Sequence, residues 1–152
     1  MDKIFYIAYG SNMNFAQMRE RCLAVDNTEA DGIHRAYLEN WKLTMPHFAN
    51  IEPAFGERTP VYIWKISKEH KKMLDKKEYV ASGQHYYEAH MFIEIEGVKQ
   101  RALVYIMTPI YKGRTRESFY DKTRKEGFFE DYKKIVKQGY RDAGFDESEF
   151  GY

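Results

Sequence analysis

Cysteine is almost missing from this 152-residue sequence: Cys22 stands alone, so no internal disulfide can form, and the composition fits a reducing compartment. Long apolar runs are missing too. None approaches the roughly 18 residues that a membrane span needs. The start, Met1-Asp2-Lys3, has neither an apolar h-region nor a small-residue cleavage site, so a cytoplasmic protein without membrane contact is expected. An excess of one charge is also absent. Lys and Arg number 24 and Asp and Glu 23, a net charge of +1, and the balance holds from one end of the chain to the other. A nucleic-acid binder carries a basic domain or stripe, so no nucleic-acid partner is expected. The five histidines and the one cysteine form no HxH, HExxH or CxxC spacing, and no metal site is expected. With no linker, repeat or low-complexity tract, the expectation is a single domain over residues 1–152. A chain of that length buries about 68–70% of its unfolded surface and needs no staples.

Aromatic residues, by contrast, are abundant. They make up 16% of the chain, and 13 of them are tyrosines. A tyrosine offers a rigid apolar body with a polar tip, which suits both a core and the walls of a polar-ligand pocket. The run Lys3 to Ala8 reads as a buried strand that stops at the turn cluster Gly10-Ser11-Asn12. Phe15, Met18 and Cys22 then recur at helical spacing, with Asn14 as the cap. Asp31-Gly32 reads as a turn. Ala36 to Met45 reads as a strand pair or one bent strand. Pro46, Pro53 and Pro60 make residues 47–60 a loop with short extended pieces. Val61 to Ile66 is a strand, and Ser67 caps a helix over the following residues. Tyr86–Glu96 and Val98–Met107 pair as a hairpin around Glu96-Gly97. The tail from Thr115 is helical, best over Tyr132, Ile135, Val136, Gly139, Tyr140 and Ala143, with Gly144 as the terminating residue. The class is α+β with a largely antiparallel sheet, open or closed into a barrel.

Two features stand out as chemistry. The first is Tyr9-Gly10-Ser11-Asn12-Met13, a strand running into a Gly-Ser-Asn turn and then a helix. Such a turn either aims consecutive N–H groups at an anion or merely joins two elements. The second is Glu78. His70, Leu74 and Glu78 follow one another at four-residue intervals, and the lysines fall on the remaining surface. Glu78 then either lies on the buried face, where desolvation raises its pKa and prepares it for proton transfer, or follows a helix that ends at Lys77 and turns to solvent. Cys22 shares the apolar face of its helix and reads as packing.

The order of these motifs resembles the γ-glutamyl cyclotransferase family. Tyr6-Ile-Ala-Tyr9-Gly10-Ser11-Asn12-Met13 is similar to that family's opening Y-x-A-Y-G-S-N-[LM]. Ala36 to Leu43, Val61 to Ile66, Leu74-Asp75-Lys-Lys-Glu78-Tyr-Val80, Val104 to Thr108 and Tyr132 to Gly139 continue the series in order, over residues 4 to 145. The resemblance implies a mixed, mostly antiparallel β-barrel with flanking helices, no cofactor, and a monomer or homodimer acting on a small γ-glutamyl substrate. It implies cyclisation of the γ-glutamyl group to 5-oxoproline with release of the attached amine. By position, Glu78 is implied as the proton shuttle. Tyr6, Ala8, Tyr9, Gly10, Ser11 and Asn12 are implied as the substrate loop, with Tyr105 and Tyr132 as further contacts.

This chain departs from the family pattern in four places. Tyr79 replaces the glycine after the glutamate. Glu130-Asp131 replaces a Pro-Ser pair. An insertion falls between Thr115 and Phe129. The tyrosine expected soon after Ser82-Gly83 is Tyr86 or Tyr87, or His85 takes its place. Two other readings stay open: a γ-glutamylamine or other γ-glutamyl metabolite as substrate, and a non-catalytic module that binds a small ligand.

Overall fold

A computed structural model describes residues 2–120, 124, 125 and 127–152. Among these residues it has strands β1 (Ile4–Ala8), β2 (Asp31–Thr44), β3 (Asn50–Ile66), β4 (Tyr86–Ile95) and β5 (Val98–Met107). They form one sheet in the order β2-β3-β1-β5-β4. All pairs are antiparallel except β1 with β5, where Tyr6 faces Leu103 in a parallel arrangement. The expected α+β class and mainly antiparallel sheet are present. The barrel is not closed, because β2 and β4 remain free edges. Closure would need a backbone ladder between β2 and β4, and none is present among the described residues. Side chains tie the start of β3 to the β4–β5 hairpin. Asn50 Oδ1 accepts the Met107 N–H at 2.9 Å, and the Tyr86 hydroxyl donates to the Ala49 carbonyl at 2.6 Å.

The loop expected over residues 47–60 is mostly strand. β3 pairs with β2 along nearly its whole length, with Pro53 opposite Trp41 and Pro60 opposite Tyr37. Only its last five residues also pair with β1. Its first part therefore has a free edge, and a free edge is where a sheet tolerates proline. Asp31-Gly32 is likewise strand rather than turn. β2 is one bent strand: its register shifts at Gly32/His34 and at Glu39/Trp41, where Asn40 adopts a φ of +66° and accepts the Gly56 N–H. The β4–β5 hairpin turns at Glu96 and Gly97 as expected, both with positive φ, which a two-residue hairpin turn requires.

The helices are α1 (Phe15–Asp26), α2 (Lys68–Lys77), the single turn α3 (Pro109–Lys112) and α4 (Phe128–Asp142). Asn14 caps α1 by accepting the Gln17 N–H. Ser67 caps α2 by accepting the His70 N–H, and the His70 ring accepts the Ser67 N–H in return. Gly144, at φ +89°, ends α4 in the paired Phe145-to-Tyr140 and Gly144-to-Arg141 hydrogen bonds of a Schellman motif. Ile135 is the exception on the inward face of α4, since it is exposed. The insertion expected between Thr115 and Phe129 includes residues 121–123 and 126, which lie outside the described residues.

Two contacts set the helices relative to the sheet. At Gly139 a Cβ would come within 2.7 Å of Asn14 N and Met13 C, so α4 rests backbone against backbone on the turn that follows β1. At the other contact Asp26, the last residue of α1, joins the start of α2. Its carboxylate accepts from the Thr28 and Ser67 hydroxyls and meets His70 Nε2 at 2.8 Å. These hydrogen bonds hold the Asp26 pKa well below the usual carboxylate range. Cys22 is fully buried beside them, and burial pushes its thiol up to about 11, as suits a packed and unreactive group.

Candidate active site

The end of β1, the turn after it, the C-terminus of α2, the starts of α1 and β4, and α4 enclose a cavity of about 410 Å³. That is the size of a small-molecule site. Tyr6, Tyr9, Gly10, Ser11 and Asn12 line it, and Ser11–Met13 forms a 3-10 turn whose first N–H groups have no acceptor within the turn. Gly10 packs closely: a Cβ there would lie 3.1 Å from the Ala49 Cβ and 3.2 Å from the Tyr132 hydroxyl. Ala8 is fully buried but is not part of the lining, which includes Ile7 instead.

Glu78 lines the same cavity. α2 ends at Lys77, so Glu78 is the C-cap rather than a residue of the helix. It does not turn away to solvent. Its N–H bonds to the Leu74 carbonyl, and its own carbonyl accepts the Tyr86 N–H at 3.3 Å, so the main chain is fixed from both sides. Among the described residues, no hydrogen bond or ion pair reaches its carboxylate. Burial raises its pKa from 4.5 to about 7, and the charge of Arg21 opposes that rise.

The tyrosine hydroxyls around the cavity differ in what they are free to do. Tyr9 donates to the Tyr105 carbonyl at 2.6 Å, and Tyr105 donates to Asp75 at 2.6 Å. Both are therefore committed, and Tyr105 offers a ring wall rather than a free hydroxyl. Tyr86 is committed to Ala49. Tyr132 accepts the Ala49 N–H at 3.1 Å and lies close enough to the Ser11 N–H to feel it, which leaves its own proton available. Tyr6 likewise accepts, from Asn12 Nδ2 at 2.9 Å. Burial, reinforced by the charge of Glu78, raises the pKa of Tyr6 and of Tyr9, and pushes Tyr111 up to about 12. All three stay protonated at neutral pH.

Of the three candidates after Ser82-Gly83, it is Tyr86 that reaches the cavity. Tyr87 is exposed. His85 sits behind the wall, with its ring centroid 4.9 Å from that of Tyr79 and 4.7 Å from that of Tyr111, and Ser82 Oγ 2.7 Å from Nδ1. Tyr79 keeps the left-handed backbone, at φ +53°, that a glycine adopts freely. Its ring lies at the cavity rim. Sequence reasoning missed Ala49, Arg21 and Tyr111, all of which line the cavity. A 47–60 segment read as a loop gave no signal for Ala49. Arg21 directly precedes Cys22 in the chain, and nothing in that spacing points to the cavity. Among the described residues no group of three or more His, Cys, Asp or Glu is placed to hold a metal ion, and no helix is long and apolar enough to cross a membrane.

A family model described as Gamma-glutamyl cyclotransferase, AIG2-like matches residues 6–126. No curated protein matches the chain significantly. Among solved structures, one named Gamma-glutamyl cyclotransferase superposes with a TM-score of 0.70 at 22% identity, covering 99% of this chain and 86% of that one. An uncharacterized protein from Homo sapiens, loc79017, gives 0.68 at 22% identity over the same shares. YkqA from Bacillus subtilis gives 0.66 at 21% identity, covering 93% of this chain and 49% of that one. At these identities the solved structures establish a common fold.

Proposed function

The chain belongs to the γ-glutamyl cyclotransferase, AIG2-like family, and from that premise we propose that it cyclises a γ-glutamyl amide to 5-oxoproline and releases the attached amine. The observation that carries this reading is the Glu78 carboxylate, without an ion-pair partner among the described residues and raised by burial to a pKa of about 7, in a small-molecule cavity it shares with the Gly10-Ser11 turn. A general acid–base works best when its pKa lies near the operating pH.

In the proposed reaction the substrate's α-ammonium gives a proton to Glu78. The freed amine attacks the γ-carbonyl carbon, and the acyl oxygen takes up negative charge facing the turn's N–H groups. Glu78 returns the proton to the departing nitrogen as the C–N bond breaks. The surplus proton on the new ring nitrogen follows by the same carboxylate. Two protons leave the α-ammonium and two join the leaving amine, so none is gained or lost. In this scheme the cavity holds the substrate folded back on itself, which supplies the proximity an intramolecular attack needs. Ser11 has no nucleophilic role in this scheme. Tyr132, with an available hydroxyl proton, is the proposed contact from α4.

The test is a panel of γ-glutamyl amino acids, dipeptides and amines incubated with the protein, with 5-oxoproline release followed by mass spectrometry. Release from at least one class supports the reading and identifies the amine. Calorimetric binding of 5-oxoproline with no turnover of any compound overturns it in favour of a ligand-binding module.

A further inference from the structure

Asn12 sits between Arg21 and Tyr6, and its amide can face them in only one way. Arg21 Nη1 lies 2.8 Å from Asn12 Oδ1, and Gln17 Nε2 lies 3.3 Å from the same atom. A guanidinium has donors and no acceptor, so the atom it meets must be the amide oxygen. The NH₂ end is thereby turned to Tyr6, whose hydroxyl accepts from it at 2.9 Å. Trp64 Nε1 donates to the Asn12 carbonyl at 3.0 Å and fixes the residue's main chain. Asn12 is 4% exposed, so water does not compete for these bonds. With its oxygen accepting from Asn12, Tyr6 must direct its own proton elsewhere. No acceptor among the described residues takes it, and Tyr6 lines the cavity.

We propose that Arg21 is a positioning residue that, through Asn12, makes Tyr6 a dedicated hydrogen-bond donor to the acyl oxygen of the γ-glutamyl substrate. The identity of that acceptor rests on the functional reading above; the Arg21–Asn12–Tyr6 relay does not. Arg21 also acts on Glu78 by charge alone, so the two effects must be separated.

The kinetic test compares Tyr6→Phe, Arg21→Met and the double variant, each by the plateau of kcat/KM taken from a full pH profile. Tyr6→Phe is expected to lower the plateau about tenfold, the loss of one hydrogen bond to a charged acceptor. Arg21→Met should lower it about as much, and by less than about twofold further when Tyr6 is already Phe. Its acidic limb should move to higher pH in either background, since losing the positive charge lets the Glu78 pKa rise further. Arg21→Lys, a donor-only cation, should restore both limb and plateau. Asn12→Asp leaves Arg21 a partner but accepts the Tyr6 proton, and should fall to the Tyr6→Phe plateau. Losses that multiply in the double variant, or a wild-type plateau in Asn12→Asp, overturn the proposal. A readout independent of turnover is the nuclear Overhauser contact between the Asn12 side-chain NH₂ and the Tyr6 ring. It should be present in the wild type and lost in Arg21→Met. Its survival there would refute the relay, whatever the substrate panel shows.

Discussion

Asp26 and Glu78 stand at opposite ends of α2, and their surroundings differ in every respect that governs a carboxylate. Asp26 meets the N-terminal end, where exposed N–H groups and the helix dipole favour negative charge. Thr28, Ser67 and His70 surround it, and its pKa is depressed. Glu78 caps the C-terminal end, where the dipole opposes negative charge, and burial raises its pKa to about 7. One side chain ties two helices together by remaining charged. The other is free to gain and lose a proton near neutral pH. The contrast teaches that a buried carboxylate marks chemistry only when the fold withholds partners from it.

The comparison breaks if the two residues exchange roles. Glu78→Gln is expected to reduce 5-oxoproline formation at least ~100-fold while the protein still folds and binds ligand, as removal of a general acid–base does. Asp26→Asn, assayed where it is folded, should keep turnover within about twofold of the wild type. Equal losses in the two would erase the distinction.

In stability the order reverses. Denaturant melts at pH 7 should show Asp26→Asn destabilised by about 1–2 kcal/mol, for charge-assisted hydrogen bonds at a partly exposed site. A lowered folded pKa gives stability that is present above the unfolded value and lost in acid, so this deficit should shrink below about pH 4. Glu78 has the opposite sign. Its raised pKa means the wild type loses stability as pH climbs from about 4.5 to about 7. Glu78→Gln should match the wild type below that window and be more stable above it, by about 1–3 kcal/mol. Parallel pH profiles for the two variants would contradict the contrast.

A smaller effect sharpens the cavity side. Tyr132→Phe removes a donor toward the ligand and also strips the Ala49 N–H of its acceptor. It should weaken substrate use by about 0.5–1.5 kcal/mol and cost about 1 kcal/mol of stability. Unchanged kinetics with lowered stability would confine Tyr132 to holding Ala49.

The features legible in the sequence are those that depend on neighbours along the chain. Asn14, Ser67, Glu96-Gly97 and Gly144 each act within four residues of themselves, and each sits where the sequence puts it. Pro53 and Pro60 misled because proline excludes a paired edge, whereas β3 offers a free one there. The open sheet was hidden because strand order depends on partners far along the chain, and periodicity does not register contacts such as those of Asn50 and Tyr86 with residues 57 and 37 positions away. At the site, the motif spacing singled out Glu78 and the Gly10-Ser11 turn, which line one cavity. It could not reveal that the hydroxyls of Tyr9 and Tyr105 are already spent, that Ala8 is buried outside the cavity lining, or that Arg21 reaches Asn12. Those facts depend on three-dimensional partners.

The contact at Gly139 gives α4 the mechanics of a lever. Its fulcrum is the backbone of Met13 and Asn14, at the end of the turn that lines the cavity. Tyr132 lies seven residues, or about 10 Å, along the same helix. A single methyl group at the fulcrum would tilt the arm and carry the Tyr132 hydroxyl away from Ala49. The precision of the site is thus stored in a residue with no side chain, outside the lining of the cavity. Variation there would tune the cavity without altering any group that lines it.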